Sequence, residues 1–137
     1  MRRFVRHPAH IPIEIDYVVQ SIQEAEDCEM NDVSQGGLSC TLHHPLKIYS
    51  HVRVHIPSVC PEYSGVGEVV WCQKTEDGYD IGIRFADTHE AFKSRMVQQV
   101  CQIEQYKTII FEKEGRLLDE DQAAAEWIKK YASEFPG

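Results

Sequence analysis

The sequence contains no long apolar run, and this absence limits the classes of protein to which it can belong. No stretch approaches the roughly 20 apolar residues that span a bilayer. The arginines of the first ten residues are followed by Pro8, His10, Pro12 and Glu14 rather than by an apolar segment, so a signal peptide is not expected. We therefore expect a cytoplasmic protein that does not insert into a membrane.

Catalytic and metal-binding patterns are also missing. The five cysteines form no CxxC pair, and their odd number and irregular spacing favour reduced thiols. There is no phosphate-binding glycine motif, and no motif places a base beside a cysteine. His51 and His55 lie four residues apart, a spacing that suits a metal site on a helix better than one on a strand, and no third ligand is evident. The sequence therefore predicts no enzyme activity, no cofactor and no metal.

Basic residues are in the minority but are concentrated at one end. The chain has 14 Lys and Arg against 22 Asp and Glu, for a net charge of −8. This balance argues against a nucleic-acid polymer as partner, and therefore against a small barrel that binds RNA. Residues 1–10 nevertheless hold Arg2, Arg3 and Arg6 and no acid. A local basic cluster on an acidic body suits a small, multiply charged anion.

The apolar pattern predicts strands first and helices afterwards. Short segments alternate apolar and polar residues, as in Ile11, Ile13 and Ile15, and turn residues separate them. The stretch SIQEAED (21–27) is polar and is expected to be a connection. Six short strands predict a small antiparallel barrel or sandwich, because such a sheet must hide its edges. Of these we expect the barrel, and the fold class is α+β, mainly β: a six-stranded antiparallel barrel followed by C-terminal helices. We expect a flexible arginine arm over residues 1–10, the barrel with its following helix over 11–110, and a helical extension over 111–137.

Two apolar stripes with helical spacing follow the predicted barrel. Asp87 and Glu90 predict the start of the first helix, and Asp119 and Gln122 that of the second. The first stripe consists of Phe92, Met96, Val100 and Ile103; the second consists of Ala124, Trp127, Ile128, Tyr131 and Phe135. Both stripes suit core packing, and the second would also suit contact with a partner or a second copy of the chain.

Two short motifs carry groups that can bind a nucleotide. Arg2 and Arg6 stand four residues apart with Arg3 between them, and a guanidinium can donate two hydrogen bonds to a phosphate or to the O6/N7 edge of guanine. Taken alone, this segment could equally be a solvated tail.

The second motif is NDVSQGGL. Asp32 can accept two parallel hydrogen bonds from guanine N1–H and N2–H, and Ser34 can donate or accept through its hydroxyl. Gly36 and Gly37 permit positive φ and close approach of a ligand to the backbone. Taken alone, this motif could equally be an ordinary turn.

The ordered pair of motifs resembles the signature of PilZ domains, which bind cyclic di-GMP. The similarity includes R-x-x-x-R (Arg2 to Arg6), D-x-S-x-x-G (Asp32, Ser34, Gly37) and the late strands GEVVWC and YDIGIRF, and it covers about residues 2–105. The resemblance implies a bacterial receptor for this second messenger. From the paired motifs and the resemblance together, we expect the ligand to order the N-terminal arm against the barrel and an unidentified protein effector to bind the new surface.

The same resemblance implies the roles of individual residues. Arg2, Arg3 and Arg6 would grip the phosphates and guanine edges, while Asp32 and Ser34 would hold one guanine. Gly36 and Gly37 would allow the loop to come close, and Trp71 would line the site or else belong to the barrel core. Met1 stands where some relatives carry a further arginine, so the number of bound ligands stays open. The alternative is a ligand-independent PilZ-like adaptor that acts through protein contacts in motility or pilus assembly.

Overall fold

The computed structural model describes residues 6–19, 21–59, 62–86 and 90–131. Within these ranges, seven strands precede two helices. The strands are β1 (His7–Pro8), β2 (Pro12–Val19), β3 (Ile22–Val33), β4 (Gly37–Leu42), β5 (His51–Ile56), β6 (Tyr63–Thr75) and β7 (Gly78–Phe85). The helices are α1 (Glu90–Glu114) and α2 (Glu120–Tyr131).

The six strands β2 to β7 close into an antiparallel barrel, which confirms the predicted fold class. They follow the order β3-β2-β5-β6-β7-β4, and pairing of β3 with β4 completes the circle. Alternate residues of each strand fill the interior; Ile15, Val54 and Ile81, for example, are fully buried. The short strand β1 is additional to the prediction and pairs with the end of β3.

The prediction that SIQEAED is a connection was wrong, because most of it belongs to β3. Residues 22–29 of β3 pair with residues 12–19 of β2, in register from Val19 opposite Ile22. Ser21 adopts φ 66° beside the turn. Much of this part of β3 is exposed, so its side chains are polar and give no apolar alternation. For that reason the apolar pattern did not predict this part of the strand.

The predicted stripe of α1 packs into the core. Met96, Val100 and Ile103 are buried and belong to the same cluster as the barrel interior. The predicted cap Asp87 and the side chain of Phe92 lie outside the described residues. Beyond the last turn of α1, Gly115 adopts φ 69°, and its N–H donates to the Phe111 carbonyl at 2.9 Å, a typical glycine helix end.

The second helix begins with the predicted capping box. The Gln122 N–H donates to Asp119 Oδ1 at 2.7 Å, and the Asp119 N–H donates to Gln122 Oε1 at 3.2 Å. Ala124 and Trp127 of its stripe are buried in the core cluster, while Phe135 and the Tyr131 side chain lie outside the described residues. Of the two interpretations of this stripe, core packing therefore holds for Ala124 and Trp127.

Four cysteines fall among the described residues, and all are free thiols: Cys28, Cys40, Cys72 and Cys101. Cys40 lies in the barrel wall, and a hydrogen bond with Cys28, together with burial, raises the pKa of its thiol. Within the part of the chain that the structure describes, neither helix is long and apolar enough to cross a membrane.

We expect Trp127→Ala to lower the free energy of unfolding by about 3–5 kcal/mol, because it leaves a cavity between α2 and the core. Trp127 is only 3% exposed. Leu117→Ala is the matched control: Leu117 is 82% exposed, so its loss should change the stability by less than about 0.5 kcal/mol. Urea unfolding followed by circular dichroism measures both. Equal stability of the two variants would show that α2 is not anchored by Trp127.

Candidate functional site

A β-bulge in β3 turns Asp32 to the outside of the barrel. Met30 lies opposite the buried Cys40, but the register then shifts, and Asp32 lies opposite Ser39. If Asn31 were paired and there were no bulge, Asp32 would lie opposite Leu38, which points into the core. The bulge therefore exposes a carboxylate that the alternation of the strand would otherwise bury.

A second bulge, in β6, has the same effect on Trp71. Val69 lies opposite Ile83, the register shifts, and Trp71 lies opposite Gly82. Its indole covers Gly82 so closely that a Cβ there would overlap the ring. Trp71 is therefore a half-buried residue of the outer face and does not belong to the core cluster. That it lines a ligand site stays a prediction.

The two bulges flank one row of residues across the outer face. Ser39 of β4 lies opposite Gly82 of β7, and each of these lies opposite a bulged residue. The row is Asp32–Ser39–Gly82–Trp71. It carries a carboxylate at one end, an aromatic ring at the other, and small residues between them. We call these four residues the outer row.

Arg6 binds the carboxylate end of the outer row through two parallel hydrogen bonds. Arg6 Nη2 donates to Asp32 Oδ1 at 2.8 Å, and Arg6 Nε donates to Asp32 Oδ2 at 3.1 Å. Their side chains are 23% and 28% exposed, so the pair is partly shielded from water. The last arginine of R-x-x-x-R and the aspartate of D-x-S-x-x-G thus meet, although they are 26 positions apart in the sequence.

Backbone pairing of β1 sets the position of Arg6. His7 lies opposite Val33 and Pro8 opposite Asp32, and the Ala9 N–H donates to the Asn31 carbonyl at 3.2 Å. Ala9 is fully buried. Arg6 therefore directly precedes a short strand whose register against β3 is fixed. Arg2 and Arg3 lie outside the described residues.

Ser34 holds its own loop together. Its hydroxyl oxygen accepts from the N–H groups of Gly36 at 3.1 Å and Gly37 at 3.3 Å, and the side chain is buried. The Ser34 N–H also donates to the Gly37 carbonyl at 2.7 Å. The hydroxyl thus shapes the loop between Asp32 and β4, an arrangement typical of serine in turns.

Gly37 meets a requirement for space rather than for an unusual backbone angle. Neither Gly36 nor Gly37 adopts the positive φ that glycine permits. At Gly37, a Cβ would overlap the carbonyl oxygen of Ile83 on β7. Glycine is needed there because β4 and β7 approach closely.

Several polar residues in or beside the outer row were absent from the predicted site. Ser39 donates to Asp32 Oδ1 at 2.9 Å, and Arg84 pairs with Glu68 next to Gly37. On the other side of the row, Thr41 donates to Asp80 Oδ1 at 2.7 Å. The signal for Ser39 was present in LSCTL: Leu38, Cys40 and Leu42 face inward, so Ser39 and Thr41 had to face outward.

The chain matches the PilZ domain family model over residues 1–102. It belongs to the PilZ domain family. A search of curated proteins finds no match to this chain.

Several solved structures share the fold, among them that of a PilZ domain. The PilZ domain of YcgR from Escherichia coli, solved with c-di-GMP, aligns with a TM-score of 0.58 at 11% identity, covering 85% of this chain and 98% of that one. MotI/DgrA, the inhibitor of motility of Bacillus subtilis, aligns with a TM-score of 0.59 at 14% identity, covering 78% of this chain and 53% of that one. The c-di-GMP complex of MrkH from K. pneumonia aligns with a TM-score of 0.53 at 16% identity, covering 85% and 56%. This chain therefore spans about half the length of MotI and MrkH, and at these identities the likeness shows the fold alone.

We expect Gly82→Ala to displace the Trp71 indole from the outer row, because the new methyl group occupies the space of the ring. Tryptophan fluorescence should shift to the red and become easier to quench with acrylamide. Val70→Ala is the matched control, since Val70 is the exposed neighbour of Trp71 in the same bulge. Unchanged emission of the Gly82 variant would contradict the described packing.

Proposed function

We propose that this PilZ domain is a receptor for cyclic di-GMP in the bacterial cytoplasm. The observation that carries the proposal is the paired contact between Arg6 and Asp32 at the end of the outer row. It unites the two motifs through which the family resemblance implies ligand binding. The YcgR and MrkH structures, which contain c-di-GMP, support the choice of ligand by analogy.

The chemistry of the pair suits guanine. The guanidinium of Arg6 presents two parallel N–H donors to the carboxylate of Asp32. Guanine presents the same pattern through N1–H and N2–H. In this proposal guanine replaces Arg6 on Asp32, so the carboxylate keeps its hydrogen bonds. The released Arg6 then turns to a phosphate or to the O6/N7 edge of guanine.

The remaining parts of the proposed site lie around this exchange. Arg2 and Arg3 would bring positive charge to the two phosphates. The loop that contains Ser34, Gly36 and Gly37 follows Asp32 in the chain and would hold it in place. The indole of Trp71 would form the aromatic wall at the other end of the outer row, where it could stack on a base. The number of ligands bound stays open.

Signalling would follow from ordering of the arm. Ligand binding would neutralise the arginines and fix the part of the arm that precedes β1 against the barrel, and the resulting surface would contact a protein effector. In this proposal the chain is an adaptor and not an enzyme, and it needs no cofactor. Its excess of acidic residues would discourage nucleic-acid polymers.

We expect isothermal titration calorimetry to detect binding of cyclic di-GMP to the intact chain at moderate salt. Arg6→Ala and Asp32→Ala should each weaken the affinity by about 2 kcal/mol or more, because each removes a charged hydrogen-bonding partner of the ligand. Arg53→Ala, on β5 and away from the outer row, is the matched control and should bind as the unmodified chain does. Absence of heat with the unmodified chain would reject the receptor and favour the ligand-independent adaptor.

We expect cyclic di-GMP to slow hydrogen exchange in a peptide covering residues 1–10, since the arm would become fixed against the barrel. Exchange in a peptide from α2 serves as the internal control and should stay constant. Binding without any protection of the arm would exclude ligand-coupled ordering while leaving the receptor function intact.

A further inference from the structure

Ser39 is a buried serine on the outer face of the barrel, directly opposite Asp32. Only 3% of it is exposed, although the surrounding alternation turns its side chain away from the core. Its hydroxyl donates to Asp32 Oδ1 at 2.9 Å, and because an ionised carboxylate can only accept, the direction of this bond is fixed. Ser39 lies outside the D-x-S-x-x-G motif, two residues after its final glycine.

The hydrogen bonds of Asp32 show which group holds it during the proposed exchange. Asp32 Oδ1 accepts from Arg6 Nη2 and from Ser39 Oγ, while Oδ2 accepts from Arg6 Nε. When Arg6 moves away, Ser39 is the described side chain that still holds the carboxylate. Its strand register is fixed by backbone pairing of β3 with β4, so it does not depend on the arm.

We infer that Ser39 is a positioning residue that orients the carboxylate of Asp32 for the guanine edge. This inference rests on the proposed function and adds a determinant of specificity to it. The terminal torsion of an aspartate is broad, so an unrestrained carboxylate rotates through many planes. A bond to Oδ1 from the neighbouring strand limits that rotation. Both oxygens then stay in position for the parallel N1–H and N2–H donors of guanine.

An orienting role for Ser39 predicts a specific effect on how well the site distinguishes guanine from hypoxanthine. Cyclic di-IMP has the same phosphates and the same N1–H as cyclic di-GMP but lacks the exocyclic N2 amine. A carboxylate held in one plane gains from both donors of guanine and from only one donor of hypoxanthine. A rotating carboxylate loses most of that difference. Ser39 should therefore affect the ratio of the two affinities, which a general weakening of the fold would not change.

The experiment is calorimetric titration of the intact chain and of Ser39→Ala with cyclic di-GMP and with cyclic di-IMP. We expect the unmodified chain to prefer cyclic di-GMP by about tenfold. Ser39→Ala should bind cyclic di-GMP about five- to tenfold more weakly, and its preference should fall to about twofold. Ser39→Thr keeps the hydroxyl and should restore most of the preference. Ser64→Ala, an exposed strand serine on β6, is the control and should match the unmodified chain.

The outcomes of this experiment distinguish a failure of the inference about Ser39 from a failure of the proposed function. Equal weakening of both ligands by Ser39→Ala, or no weakening, would overturn the role of Ser39 while the receptor function stands. Failure of Ser39→Thr to restore the preference would also overturn it, provided that its thermal unfolding matches that of the unmodified chain. If the unmodified chain binds neither dinucleotide, the receptor function and the inference fall together.

Discussion

The two-residue period of the β-strand is the constraint on which the candidate site depends. In a closed barrel, strict alternation would send Asp32 and Trp71 to the side occupied by core residues such as Leu38 and Ile81. One extra residue in β3 and one in β6 reverse this outcome locally, and both bulges face the same β4–β7 pair. The outer row exists because one bulge interrupts the inward–outward alternation in β3 and another interrupts it in β6. The two bulges lie opposite Ser39 and Gly82, which are themselves paired. The bulges leave the core packing largely intact, since Met30, Val33 and Val69 beside them remain buried.

Charge and hydrogen bonding hold the carboxylate of Asp32 that the bulge in β3 exposes. A carboxylate on the outer face would be well solvated by itself, but Arg6 and Ser39 engage three of its acceptor positions. The pair is partly shielded, so its attraction is screened less than that of a fully exposed ion pair. The local charge at this point is therefore balanced in an otherwise acidic chain. In the proposed exchange, the neutral donors of guanine would take over the hydrogen bonds that Arg6 makes to the carboxylate.

The sequence allowed prediction of the barrel, the two helices and the family, because each depends on local patterns. Alternation at Ile11, Ile13 and Ile15 indicated a strand, and Asp119 with Gln122 indicated the start of α2. The first half of β3 escaped prediction, since a largely exposed polar hairpin has no apolar period. The bulges escaped as well, because a bulge is a property of the pairing between two strands and neither strand shows it alone. Ser39 was predictable as an outward residue, but its contact with Asp32 depends on the bulged register.

The placement of Arg6 by β1 has a consequence for the architecture of larger proteins. Between the buried Ala9 and Arg6 there are only two residues, and both are paired with β3. Any domain joined ahead of Arg6 would be connected mechanically to Asp32 through this short strand. A pull on the chain there would act on the ion pair before it reached the barrel core. In a tandem arrangement, the junction between two domains and the Arg6–Asp32 ion pair would be the same few residues.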